Sequence, residues 1–194
     1  MSDEQTGRLP LLTPGELNPD QKQVHDKMMQ EQVPWATKSG FTAATPDGKL
    51  LGPFNALLYG PEVGQAYLEY FTAEKKNTTL SERVHEIVIL AVGAAWNSAY
   101  ELYAHTAVGK SAGLPEEVIQ AIVAGKTPQG LPEQEASAYE FTHQLAAMHR
   151  VDPAAYARAK AAFGDKSLVD IVMLTGLYLV TCAALNAFEV PVPS

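Results

Sequence analysis

Residues 80–95 read LSERVHEIVILAVGAA, and this stretch decides the fold class. Ser81, behind the apolar Leu80, is placed to cap a helix. On that helix Val84, Ile87, Val88, Leu90, Ala91, Val92 and Ala95 are apolar on nearly every side. A helix of that kind sits in the middle of a core or an interface. Working outward, Trp96 and Asn97 mark a break, and a second helix runs from Ser98 to Ala112 with Gly113 as its C-terminal cap. Pro115 starts the short helix PEEVIQAIVA, with two glutamates at its positive end. Residues 125–130 form a loop, and helices near 132–149, 153–163 and 167–187 follow. Upstream, Pro61 opens a helix through Val63, Tyr67, Leu68 and Phe71. Thr13 before Pro14 starts another that reaches about Gln32, with a thin apolar face of Val24, Met28 and Met29. Residues 33–53 hold Pro34, Gly40, Pro46, Gly48, Gly52 and Pro53 and read as one long loop or lid. Loops of that length are functional or mobile in compact domains. Period-two alternation is essentially absent, so the class is all-α, with about seven or eight helices.

A chain of 194 residues is expected to fold as one domain over its full length, 1–194. Apolar residues at 46% and charged residues at 19% are globular rather than disordered composition. The net charge is −8 and Lys75–Lys76 is the only adjacent basic pair, which argues against a nucleic-acid partner. The single cysteine, Cys182, excludes an internal disulfide, a CxxC pair and a thiolate metal cluster. The apolar stretch 168–185 approaches a bilayer span in length. Asp170, Thr175, Gly176, Tyr178 and Thr181 interrupt it, so it reads as a core helix and no membrane partner is expected. MSDEQTGRLP lacks a basic start followed by an apolar core, which makes a cytoplasmic location the default expectation.

Four residues suggest chemistry. Glu101 and His105 are four apart and share a helix face, with Ser98 one turn earlier. Glu86 lies on the preceding helix, and an antiparallel hairpin brings it near that face. A carboxylate beside an imidazole raises its pKa and fixes its tautomer, which a proton donor near neutral pH requires. Spacing alone favours the plainer reading, a surface pair contributing a few tenths of a kcal/mol. His85 is about one hundred degrees around the helix from Glu86 and is expected to face elsewhere. His25, His143 and His149 read as surface histidines. HExxH, phosphate-loop, GxGxxG and GxSxG motifs are absent from the sequence, so no metal site is expected.

The segment Leu80–Leu90, then Ser98–His105 and Ala112-Gly113-Leu114-Pro115-Glu116-Glu117-Val118-Ile119, resembles the signature of the carboxymuconolactone decarboxylase family, in the alkylhydroperoxidase D-like superfamily. Gly52-Pro53-Phe54-Asn55-Ala56-Leu57-Leu58 with Pro61-Glu62, and Asn186–Pro191, also look typical of it, so the likeness spans most of the chain. It implies an alkylhydroperoxidase D-like helical bundle. In the peroxidase branch, two cysteines stand where this chain has Ser98 and Glu101. Their absence argues against thiol peroxidase chemistry, and Cys182 is not expected to replace either. The decarboxylase branch carries Glu and His at the positions of Glu101 and His105 and needs no cofactor. The resemblance therefore implies a cofactor-independent lyase acting on a small lactone or unsaturated acid. His105 would be the proton donor, Glu101 would tune or orient it, and Glu86 would be a supporting or alternative acid. Ser98, Tyr100 or Asn55 would hydrogen-bond the lactone oxygen, and Phe54 and Trp96 would line an apolar pocket. Trimers and hexamers occur in the family, so a homo-oligomer is expected. Two alternatives stay open: a non-catalytic ligand-binding protein, and a dehydratase or isomerase using the same cluster.

Overall fold

The computed structural model describes residues 7–193; most of the N-terminal stretch considered for targeting lies outside them. Eight α-helices make up the described chain: α1 Pro19–Ser39, α2 Pro53–Leu57, α3 Pro61–Asn77, α4 Glu82–Ala95, α5 Ala99–Ser111, α6 Glu116–Val123, α7 Glu133–His143 and α8 Pro153–Ala187. The all-α class follows from the sequence as read.

Helix α4 is the axis. Residues 86–93 are all buried, and α4 packs on α5, α6, α7 and α8. One side joins Ile171, Leu174 and Leu177 of α8 and Phe141 of α7. The other joins Val118, Ile119 and Ile122 of α6. Each fully buried Ile or Leu contributes about 1.5–3 kcal/mol, so this helix cannot leave the core without unfolding the chain. The α4–α5 turn is tight because Asn97 takes a left-handed conformation, with φ of 48°. Gly93 lets the two helices approach closely. A Cβ there would lie 3.1 Å from Leu102 and 3.4 Å from the Glu101 side chain.

The N-terminal third departs from the sequence expectation. Pro14–Glu16 is only a short 3-10 turn, and Thr13 makes no side-chain cap. Helix α1 instead starts at Pro19, where Asn18 and Gln21 form a reciprocal capping box. It continues through Pro34 to Ser39 and stops at Gly40, whose φ is 91°. The expected loop over 33–53 therefore shrinks to 40–52. A proline inside a helix removes one hydrogen bond. Here burial of Gln32 and Ala36 on either side, with Ala36 packed against Phe41, Tyr100 and Ala104, holds the helix together. Nor is 40–52 an exposed lid: Phe41, Ala43, Leu50 and Leu51 are buried. His25, expected at the surface, is buried, and its Nε2 lies 2.9 Å from the Gly48 carbonyl, pinning this strap to α1.

Helix α7 runs on into a π-helical turn, Gln144–Met148, which ends at His149 in the left-handed region. Helix α8 bends at Gly164 (φ 69°, ψ −178°), matching the two separate segments read from the sequence. It is long and apolar enough to cross a bilayer, but 56% of its most apolar window is buried inside the protein, as in a core helix.

Candidate active site

Two cavities meet at His105. The outer chamber, about 500 Å³, is lined by Lys38 and Ser39 of α1, Glu74 and Lys75 of α3, His85 and Glu86 of α4, and Val108 and Ser111 of α5. The inner chamber is about 40 Å³ and mostly apolar, with Phe41, Pro53, Phe54, Leu57, Leu68, Tyr67 and Tyr100 around Glu101. Trp35, Phe71, His105 and Tyr178 belong to both walls. The His105 ring is held edge-on against Tyr178, with centroids 5.1 Å apart, and tilted against Trp35 at 6.3 Å.

Carboxylates and imidazoles alternate through this region. His105 Nδ1 is 2.8 Å from Glu86 Oε2, and its Nε2 is 3.2 Å from Glu101 Oε1. Beyond Glu86, His85 Nδ1 lies 3.6 Å from Glu86 Oε1 and His85 Nε2 is 3.1 Å from Glu74 Oε2. All five side chains are at least four-fifths buried. The helices explain the order. Glu101 and His105 are one turn apart on α5, Glu86 faces them from α4, and His85, next on α4, turns toward α3 and Glu74.

Burial and partner charge compete at each group. For Glu86, burial opposes ionisation, but the ion pairs with His105 and His85 outweigh it and hold the carboxyl well below its usual range. Burial likewise opposes the charge on His105, yet Glu86 and Glu101 keep its pKa raised. His85 is pushed up to about 9, against burial, by Glu74 and Glu86. Glu101 behaves differently. Burial raises it to about 7, with Glu86 adding to that, because His105 offsets only part of the cost. The Glu101 Oε1 atom is buried and accepts no aligned hydrogen bond among the described residues. The site thus holds an ionised Glu86–His105 pair beside a carboxyl that is about half protonated at neutrality.

The structure brings together Glu86, Glu101, His105, Tyr100 and Phe54 of the residues singled out from sequence. Tyr100 is anchored by its hydroxyl, which donates to the Thr42 carbonyl at 2.8 Å. Three others line neither chamber. Asn55 donates to the Pro10 carbonyl and accepts from the Leu12 N–H, tying down the N-terminal segment. Trp96 packs against the α7–α8 core, and its carbonyl accepts from Asn186. Ser98 is fully buried. Cys182 sits against Ser98. Burial, with Glu101 adding, drives its thiol far above the usual range, so it stays protonated. Sequence reading missed Glu74, His85 and Trp35.

The carboxymuconolactone decarboxylase family matches over residues 61–144, which include Glu74, His85, Glu86, Glu101 and His105. No curated protein matches the chain. Solved structures show the same alkylhydroperoxidase D-like fold. An uncharacterized peroxidase-related protein from Ralstonia eutropha JMP134 with an alkylhydroperoxidase AhpD core aligns over 97% of this chain and 93% of its own, at TM-score 0.75 and 18% identity. A peroxidase-related protein from Silicibacter sp. TM1040 aligns over 100% of this chain and 96% of its own, at TM-score 0.75 and 16% identity. The debrominase Bmp8, in complex with 2,3,4-tribromopyrrole, aligns over 100% and 94%, at TM-score 0.70 and 11% identity. Identities this low carry the fold and not the activity.

Proposed function

We propose that the chain is a cofactor-independent acid/base lyase that decarboxylates a small lactone or unsaturated acid at the junction of the two chambers. The observation that supports it most is the division of charge: an ionised Glu86–His105 pair abuts Glu101, whose buried carboxyl keeps its proton up to about pH 7, in an apolar wall. Loss of CO2 from such an acid breaks the bond to the carboxylate carbon and leaves the electron pair on the substrate. A conjugated carbonyl of the substrate itself delocalises that pair, so the protein needs only to orient the substrate, stabilise the developing oxyanion and deliver one proton.

The geometry supports a division of labour opposite to that expected from sequence. Both His105 nitrogens already face carboxylates, Glu86 and Glu101. Glu101 lines the inner chamber, so its O–H is the acid that meets the nascent carbanion. His105, held charged by Glu86, stabilises the Glu101 carboxylate left after transfer. One proton is taken up per turnover, and solvent returns it to Glu101. The apolar wall of Phe41, Phe54, Leu57 and Phe71 lowers the local dielectric and strengthens both effects.

We also propose that the chain forms a homo-oligomer through α8, where Val169, Val172, Met173 and Val180 expose an apolar stripe at helical spacing.

The test of the function is CO2 release, without added metal, from a panel of carboxylated lactones and unsaturated keto acids, by the wild type and by His105→Ala. Release by the wild type that drops a hundredfold or more in the variant is expected. No release from any panel member moves the assignment to a dehydratase, an isomerase or a ligand-binding protein.

A further inference from the structure

The outer chamber carries a charge pattern that the proton chemistry does not use. Inside it, charges cancel in pairs: Glu74 with His85, and Glu86 with His105. At its α1–α3 edge stand two lysines, Lys38 and Lys75, which have no carboxylate partner among the described residues. Lys75 Nζ sits 4.9 Å from the centre of the Trp35 ring, and Trp35 contacts His105 on the way inward. A cation stacked on an aromatic face is held in place without being neutralised. Glu82 also borders the chamber, which leaves one net positive charge at its edge on a chain whose net charge is −8. The inner chamber offers the opposite environment, about 40 Å³ with an apolar wall. That volume suits a short alkyl group and is far below the ~150 Å³ that accommodates a benzene ring.

We propose that Lys75, with Lys38, is an anion-binding subsite of the outer chamber, so that the ligand is an amphiphilic carboxylate: its charged end at the lysines, its short apolar end in the inner chamber beside Glu101. The assignment rests on the site proposed above being where substrate binds, and it names the substrate's class. It makes the lysines specificity-determining residues, since a neutral molecule of equal size gains nothing at the edge. The carboxylate held there is the one the ligand keeps; in a substrate, the carboxylate lost as CO2 is a second one, at the junction beside His105 and Glu101.

The probe is hexanoate, compared with its neutral isostere hexanamide. Binding is read from Trp35 fluorescence in a Trp96→Phe background, since Trp96 lies away from both chambers. Saturable binding of hexanoate at millimolar concentration is expected, with hexanamide at least tenfold weaker. Lys75→Gln weakens hexanoate threefold or more and Lys38→Gln/Lys75→Gln tenfold or more, with hexanamide unchanged and the difference shrinking as salt rises. Equal binding of acid and amide, unaltered hexanoate binding by the double variant, or no saturable binding of hexanoate would each overturn the subsite. The assay reads binding without turnover. Failure to release CO2 therefore leaves it standing, and its own failure leaves the acid/base reading standing.

Discussion

Replacing Glu101 with Gln removes one ionisable group and keeps the side-chain shape, so it isolates the cost of burying that carboxyl. The native pKa of Glu101 is raised from 4.5 to about 7, primarily by burial. A raised carboxyl binds its proton more tightly in the folded state than in the unfolded one. Its contribution to stability is therefore fully present below pH 4.5 and is lost as pH rises through about 7. At 1.36 kcal/mol per pKa unit, the loss amounts to about 3 kcal/mol. Wild type should lose that amount between pH 4 and pH 8 relative to Glu101→Gln, whatever constant difference the amide introduces through packing. Urea unfolding of both proteins across this range, with the stability difference plotted against pH, reads the effect directly. A difference that stays within about 0.5 kcal/mol across the range refutes the claim that Glu101 is protonated in its buried position.

The neighbouring pair gives a second titration. The His85 ring, followed by NMR, should titrate near pH 9, and Glu74→Gln should move the midpoint down by a unit or more because it removes the carboxylate that faces His85 Nε2. Gly52→Ala should destabilise the fold by about 2 kcal/mol or more, measured by thermal or urea unfolding. Gly52 has φ of +64°, and a Cβ there would lie 2.4 Å from the Tyr100 ring. The same change displaces Pro53 and Phe54 from the inner chamber, so ligand binding should weaken with it. Val172→Glu with Val180→Glu should reduce a multiple of 20.9 kDa to the single-chain mass in light scattering; wild type already at 20.9 kDa contradicts the α8 interface.

The α4–α5 hairpin was legible because its signals are local. An apolar run longer than any face, a serine cap, a break at Trp96–Asn97 and an i,i+4 Glu–His pair together place Glu86, Glu101 and His105 within reach of one another. Glu74 and His85 were not legible in the same way. Their contact joins α3 to α4, and helix-angle reasoning applied to α4 alone turns His85 away from Glu86 without saying what it turns toward. Trp35 was hidden by Pro34 and Gly40, two breakers that suggested a loop, while tertiary packing of Ala36 and the capping box at Asn18 carried α1 past the first of them. Asn55 illustrates the converse error. A polar residue in a characteristic segment reads as a ligand contact, and here both ends of its amide are spent on the backbone of residues 10 and 12. Cys182 is remote from Ser98 in sequence, and only the return of α8 along α4 and α5 brings them together.

The most direct test of the central claim is the pH dependence of kcat/KM for CO2 release from the best substrate of the panel, in wild type and Glu101→Gln. With Glu101 as the proton donor, the wild-type rate falls as pH rises through about 7, where Glu101 loses its proton, and the variant is slower by a hundredfold or more at pH 6. A wild-type profile flat from pH 6 to 9, or a Glu101→Gln variant as fast as wild type, contradicts it.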